Sequence, residues 1–133
     1  MHVRDMISTH PHVRGNTNEA LIRCIEECYD CAQTCTTCAD ACLGEEMVAE
    51  LVQCIRLNMD CADGTATGAV ATRLSGSNEA VIRAMLEACS PACRLCAGEC
   101  EQPAQAHHHC RICAEARWSC EDACRKATRS MAH

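Results

Sequence analysis

The chain has 133 residues, the size of one domain, and a formal net charge of −6 that leaves no basic surface for nucleic-acid phosphates. Leu, Ile and Val together supply only 19 side chains, Phe supplies none, and 16 residues are Cys, so small residues and sulfur must fill the interior of whatever folds. No window approaches the roughly 18 apolar residues of a membrane span.

Residues 1–15, with His10-Pro11-His12 and Gly15, read as a loose or partly helical N-terminal extension, and residues 16–130 as one bundle. Asn16-Thr17-Asn18-Glu19 offers an N-cap and an acidic first turn, and Gly44 a stop, which predicts a long helix over 17–43. Glu45-Glu46 opens a second helix over 45–73, weakened by Gly64 and Gly68. Ser75-Gly76-Ser77-Asn78-Glu79 caps a third helix that runs to Cys100, with Pro91 as a site for a kink. The stretch Glu101-Gln102-Pro103-Ala104-Gln105-Ala106 breaks the pattern, and a fourth helix spans 108–129. Thr17-Asn18-Glu19-Ala20-Leu21-Ile22-Arg23 recurs as Ser77-Asn78-Glu79-Ala80-Val81-Ile82-Arg83, a weak internal duplication. Nothing alternates with a period of two, so the expected fold is all-α, an up-down-up-down four-helix bundle.

In the first helix Cys24, Cys28, Cys31, Cys35, Cys38 and Cys42 are spaced 4-3-4-3-4, the rhythm of a seam that faces neighbouring helices. Cys89, Cys93, Cys96 and Cys100 repeat it on the third helix. The fourth carries Cys110, Cys113, Cys120 and Cys124, with Arg117 where the rhythm would place another Cys. The second carries Cys54 and Cys61, with Asn58 and Thr65 at the vacant positions. Buried cysteine can act as a small hydrophobe, but a core built for stability alone would use larger side chains along the same stripes. Disulfides within a helix are opposed by geometry, because neighbours at i,i+3 or i,i+4 hold their Cβ atoms about 5–6 Å apart and a disulfide needs about 3.5–4.5 Å.

A metal closes that gap, since two thiolates about 4.5 Å apart can share one ion through bonds of about 2.3 Å. Six CxxxC pairs serve this without overlap: Cys24/Cys28, Cys31/Cys35, Cys38/Cys42, Cys89/Cys93, Cys96/Cys100 and Cys120/Cys124. Cys54, Cys61, Cys110 and Cys113 remain to bridge between helices. Soft thiolates favour Cu(I), Zn(II) and iron–sulfur clusters. Each Zn(II) bound by four thiolates leaves two negative charges uncompensated, which is costly in a bundle core, whereas Cu(I) with bridging sulfurs approaches neutrality. Zinc clusters with shared thiolates escape part of this argument, and a zinc or other soft-metal buffer stays open. The runs Cys28-x2-Cys31-x3-Cys35 and Cys93-x2-Cys96-x3-Cys100 echo ferredoxins without their third x2-spaced Cys or closing Cys-Pro, so an iron–sulfur electron carrier is the weaker alternative. No single Cys stands apart with a partnered His and acid, so no enzymatic activity is expected.

His107-His108-His109 precedes Cys110 at an end that an up-down bundle shares with Leu43-Gly44-Glu45 and Met47. It reads either as a mouth where His, with Met47, captures incoming copper, or as a solvated polar loop. His2, His10, His12 and His133 read as surface residues. Asn58 and Arg117 line an entrance or pair in the interior. The opening Met1-His2-Val3-Arg4-Asp5-Met6 lacks the apolar run of a signal peptide, which makes a reducing cytoplasm the expected location.

These segments are similar to a known family. Cys28-Tyr-Asp-Cys31-Ala-Gln-Thr-Cys35-Thr-Thr-Cys38-Ala-Asp-Ala-Cys42, Cys54-Ile-Arg-Leu-Asn-Met-Asp-Cys61-Ala and His109-Cys110-Arg-Ile-Cys113-Ala-Glu-Ala resemble the cytosolic, cysteine-rich four-helix-bundle copper storage proteins over residues 17–128. The resemblance implies a homotetramer of bundles, many Cu(I) ions held inside each by thiolates, and a histidine-bearing mouth. It carries over the 16 cysteines together with His107 and His109 as ligands. Thr65 and Arg117 stand where such sequences often have Cys, which implies a lower capacity or a different cluster arrangement. The expected function is a copper reservoir loaded by a chaperone or a small-thiol donor through ligand exchange, with loss of thiol protons.

Overall fold

A computed structural model describes residues 2–13, 15–74, 76–102 and 107–131, with Thr65 described by its backbone alone. Ser75, residues 103–106 and His133 lie outside the described residues, and with them part of the expected third cap, most of the expected break and one expected surface histidine. The elements are α1 (Val3–Ser8), α2 (Glu19–Leu43), a 3-10 turn (Val48–Leu51), α3 (Val52–Ala62), α4 (Gly64–Ala71), α5 (Glu79–Glu101) and α6 (His108–Ser130). Among the described residues there is no strand.

The four rods of the bundle are α2, the α3–α4 pair, α5 and α6. α2 packs against α3, α4 and α6, and α5 packs against the same three, so α3 and α6 face each other across the bundle diagonal. Asn18 caps α2 by accepting a hydrogen bond from the Leu21 amide at 3.2 Å. It lies within the expected capping segment, but the helix starts at Glu19, two residues later than the expected start at 17. α5 continues through Pro91 from Glu79 to Glu101.

The expected second helix over 45–73 needs correction. The chain first makes the 3-10 turn, enters α3 only at Val52, and is interrupted at Asp63 before α4 resumes. Gly68 in α4 has a packing reason that sequence propensity could not show. A Cβ there would meet the Tyr29 ring of α2 at 3.1 Å, so glycine lets α4 lie close against α2 at a cost of about 1 kcal/mol in helix propensity. The N-terminal extension is tied down by α1, whose Ile7 is buried.

The buried large aliphatic side chains gather at one end, Leu51 beside Met47 and His107 excepted. Ile22, Ile25, Ile82 and Leu86 are almost fully buried there with Leu21 and Ile7, each contributing about 1.5–3 kcal/mol. The duplicated segments account for part of this plug. Ile22 and Ile82 occupy equivalent places in the two copies, one turn into α2 and α5, and both line a cavity of about 190 Å³ that also touches Leu74 and Met131. From the plug towards the other end, the interior passes to sulfur.

Candidate metal centre

All sixteen cysteines are buried and unpaired by disulfides, none more than 7 % exposed. A seam at 4-3-4 spacing turns one face of each helix inward, and every rod contributes to one continuous sulfur core. Next to the plug, Cys24 lies 3.3 Å from Cys124 and 4.0 Å from Cys28, and Cys28 lies 3.9 Å from both Cys124 and Cys120. The sulfurs of Cys28, Cys89, Cys120 and Cys124 all sit within 4.8 Å of one another. One level on, Cys31 is 3.6 Å from Cys35 and from Cys61, and Cys93 is 3.7 Å from Cys61 and 3.8 Å from Cys89.

Beyond the middle, Cys54 lies 3.2 Å from Cys100, and Cys38, Cys100 and Cys113 form a further set within 4.8 Å. Cys110 closes the series at 4.0 Å from Cys38 and 3.9 Å from Cys42. The four cysteines that the CxxxC pairing left over thus act between helices, Cys61 joining α3 to α2 and α5, Cys54 joining α3 to α5, and Cys110 and Cys113 joining α6 to α2.

These spacings are far longer than the about 2.05 Å of a disulfide. They approach the about 3.8–4.0 Å between sulfurs that share a tetrahedral or trigonal ion at bonds of about 2.3 Å. Near the histidines, burial pushes Cys42 up to about 11 and raises Cys110 as well, with the neighbouring Cys38 adding to both, whereas hydrogen bonds from Cys124 and Cys28 bring Cys24 down to about 5. Neutral thiols pack as apolar groups, so a metal-free core of this kind is compatible with a folded bundle.

The histidines stand at the end opposite the plug. His109 Nδ1 is 3.5 Å from Cys38 Sγ and 3.6 Å from Cys110 Sγ, and its Nε2 is 3.2 Å from Glu45 Oε1. His107 Nδ1 is 3.5 Å from Glu45 Oε2, and the two imidazoles stack with centroids 5.6 Å apart. Both rings are partly exposed. Burial lowers the His109 pKa, but its contacts with Cys38 and Glu45 outweigh that and leave it raised. His108 turns outward beside Arg111. Met47 shares a cavity with His107, Cys54 and Glu50. His2 and His12 are exposed and His10 is half-exposed.

Sequence reasoning missed Glu45, which it used only as a helix start. Its place one residue past the Gly44 stop, at the end shared with the histidines, was the available signal. For Asn58 and Arg117 the structure selects the interior, where the two side chains pair and both are fully buried. Thr65, the other vacancy in the rhythm, has no described side chain.

The family model of copper storage proteins matches residues 17–129. Among solved structures, the copper storage protein Ccsp of Streptomyces lividans loaded with 10 copper equivalents is 52 % identical, with a TM-score of 0.91 over 96 % of this chain and 98 % of that one. A structure of copper loading to the cytosolic copper storage protein of the same organism, with five coppers, is 55 % identical, with a TM-score of 0.81 over 84 % and 93 %. The Cu(I)-bound copper storage protein BsCsp3 is 34 % identical, with a TM-score of 0.64 over 83 % and 95 %. With a family match that takes in every cysteine and with the bundle shared with these neighbours, the chain belongs to the copper storage protein family.

Proposed function

We propose that this bundle stores copper as Cu(I), with all sixteen cysteines as terminal or bridging thiolate ligands and His107 and His109 as entry ligands. The observation that carries this reading is the convergence of sixteen free, buried sulfurs from four rods into one core, at separations a shared metal would span. Charge favours Cu(I) over Zn(II). Near one monovalent ion per thiolate the core is close to neutral, whereas tetrathiolate zinc leaves two buried charges per site. The four sulfurs of Cys28, Cys89, Cys120 and Cys124 lie within 4.8 Å of one another, so zinc is the rival to test. In an anaerobic competition between the two ions for the reduced protein, Cu(I) displaces Zn(II) and binding continues to about one copper per thiol. Retention of zinc against excess Cu(I) would refute the copper reading.

The aliphatic plug closes one end of the core, and the partly exposed Glu45–His107–His109 group supports the other as the entrance. Copper is captured there by imidazole, passed to Cys38 and Cys110 beside His109, and exchanged inward from thiolate to thiolate. Replacing His107, His108 and His109 together with Ala slows the loading of copper from a small-thiol complex without changing the final copper content. Stopped-flow absorbance in the charge-transfer region of copper thiolates reads the rate, and an unchanged rate removes the mouth from this scheme.

The role is that of a reservoir rather than an enzyme, because ligand exchange on the ion makes and breaks no bond in an organic substrate. We place the protein in the cytoplasm, where thiols stay reduced and to which the Streptomyces lividans relative is assigned. A small thiol or a copper chaperone is the donor. The family resemblance and the exposed apolar side chains Leu43, Met59, Leu95 and Ile112 support assembly into a homotetramer.

A further inference from the structure

Two cysteines of the sulfur core border a cavity on the side of the bundle, away from the histidine mouth. It measures about 180 Å³ and lies between the α3–α4 interruption and α5, with the buried Cys61 and Cys89 on its inner side and the exposed Asp60, Asp63 and Ala88 at its rim. Of the sixteen cysteines, Cys89 is the most exposed at 7 % and Cys61 the next at 3 %, whereas Cys38 and Cys110 beside His109 reach no more than 2 %. Sulfur therefore comes closer to solvent here than at the mouth.

The opening follows from the break in the second rod. α3 ends at Ala62 and α4 resumes at Gly64, where a Cβ would stand 4.0 Å from Cys89 Sγ, an ordinary van der Waals distance. Packing does not demand glycine there as it does at Gly68, and glycine lowers helix propensity. Its effect is to leave Cys89 uncovered.

The cavity gives onto the sulfurs on the plug side of the core. Cys89 belongs to the set with Cys28, Cys120 and Cys124, and Cys61 to the set with Cys31 and Cys93. On the way from these sets to the mouth stand Asn58, between Cys61 and Cys54 on α3, and Arg117, between Cys120 and Cys113 on α6, joined at 2.5 Å. At that level two of the four rods present a polar side chain instead of sulfur, which thins the relay of thiolates towards the histidines.

We propose that this lateral opening is a second exchange site of the copper store, where a small thiol, uncharged or cationic at its sulfur-bearing end, takes Cu(I) directly from Cys89. This rests on the copper-storage reading and adds a route to it. An engineered protein cavity of about 150 Å³ admits benzene, so the space suits the thiol end of a small molecule and not a folded chaperone. The two rim carboxylates repel anionic thiols and attract cationic ones. In the exchange one copper–sulfur bond to Cys89 breaks as one to the incoming sulfur forms, and the proton of the incoming thiol ends on Cys89 Sγ. Neither copper nor sulfur changes oxidation state.

Two variants of the full chain test this. Ala92→Leu fills the opening from a half-buried position on its lining, and Gly98→Leu places the same side chain at an exposed site on α5 where a Cβ meets nothing within 4 Å. The reduced, metal-free proteins are treated briefly with iodoacetamide, and the alkylated cysteines are identified by peptide mass spectrometry. In the wild type and in Gly98→Leu, Cys89 reacts faster than Cys93, its fully enclosed neighbour 3.8 Å away. Ala92→Leu leaves local opening as the only access and lowers the Cys89 rate at least about tenfold, while Cys38 and Cys110 keep theirs.

In the copper-loaded proteins, Ala92→Leu slows removal of Cu(I) by cysteamine at least about threefold, and Gly98→Leu does not. Removal by mercaptoethanesulfonate, which the rim repels, is unaffected by Ala92→Leu. Should Ala92→Leu fail to fold, Gly64→Ala, which fits at 4.0 Å from Cys89 Sγ, narrows the same opening in its place. Equal alkylation of Cys89 and Cys93 in the wild type, or removal by cysteamine that the closed variant does not slow, overturns the proposal. Failure of the wild type to bind copper would sink the storage reading instead, and the alkylation result would stand apart from it.

Discussion

Loading the reduced, metal-free protein with Cu(I) raises its thermal midpoint by at least about 15 °C. A single site occupied at a thousandfold excess over its Kd adds about 4 kcal/mol to the folded state. For a chain of this length each kcal/mol moves the midpoint by about 3–5 °C, and further sites add to the first. The physical cause is the position of the ligands. Cys28 of α2 lies beside Cys124 and Cys120 of α6, and Cys61 of α3 lies between Cys31 of α2 and Cys93 of α5. An ion shared by these sulfurs ties rods together that are otherwise held by small side chains, and an unfolded chain offers no such preformed set. Differential scanning calorimetry under nitrogen, with and without bound copper, gives the shift. Copper that binds in full yet leaves the midpoint unmoved would place the ions outside the core.

The second large effect separates sulfur as ligand from sulfur as packing. Leu86 is fully buried in the aliphatic plug, and Leu86→Ala removes about 3 kcal/mol from the metal-free protein by loss of burial and by the cavity left behind. Its midpoint falls by about 10–15 °C. The plug holds no ligand, so copper content after loading stays at the wild-type value. Cys93→Ala does the reverse.

Cys93 sits between Cys61 and Cys89 in the sulfur core. Removing one small group from such a site costs the metal-free protein about 1 kcal/mol, while the loaded protein loses about one copper per chain and part of its copper-induced stabilisation. Chemical denaturation of the metal-free forms and metal analysis after gel filtration read the two columns of this comparison. If Cys93→Ala proved as destabilising as Leu86→Ala and kept the full copper load, the sulfur core would be a packing solution and no more.

The helices were legible because their signals are local. Asn18 caps α2 from within the expected capping segment, the helix starting two residues after the expected position, and the 4-3-4 rhythm fixes which face turns inward without reference to any other helix. The second rod was read less well. Gly64 and Gly68 were visible as weak points, but the entry through a 3-10 turn and the interruption at Asp63 depend on how that rod seats on α2, where Tyr29 lies against Gly68. Local propensity is a weak prior against such packing.

What the amino-acid order determined by itself is the inventory: sixteen thiols on inward faces of helices, too few aliphatic side chains to replace them, and three polar interruptions of the rhythm at Asn58, Thr65 and Arg117. The pairing of Asn58 with Arg117 was decided only when the chain folded. They lie 59 positions apart on rods that face each other diagonally, and nothing in either rod sets the level at which it meets the other. The same holds for the polarity of the core. Glu45, His107 and His109 meet at one end and Ile22, Ile82 and Leu86 at the other, because antiparallel rods bring distant segments to a common level. Helix periodicity is a property of neighbours in sequence, whereas register across a bundle is a property of neighbours in space.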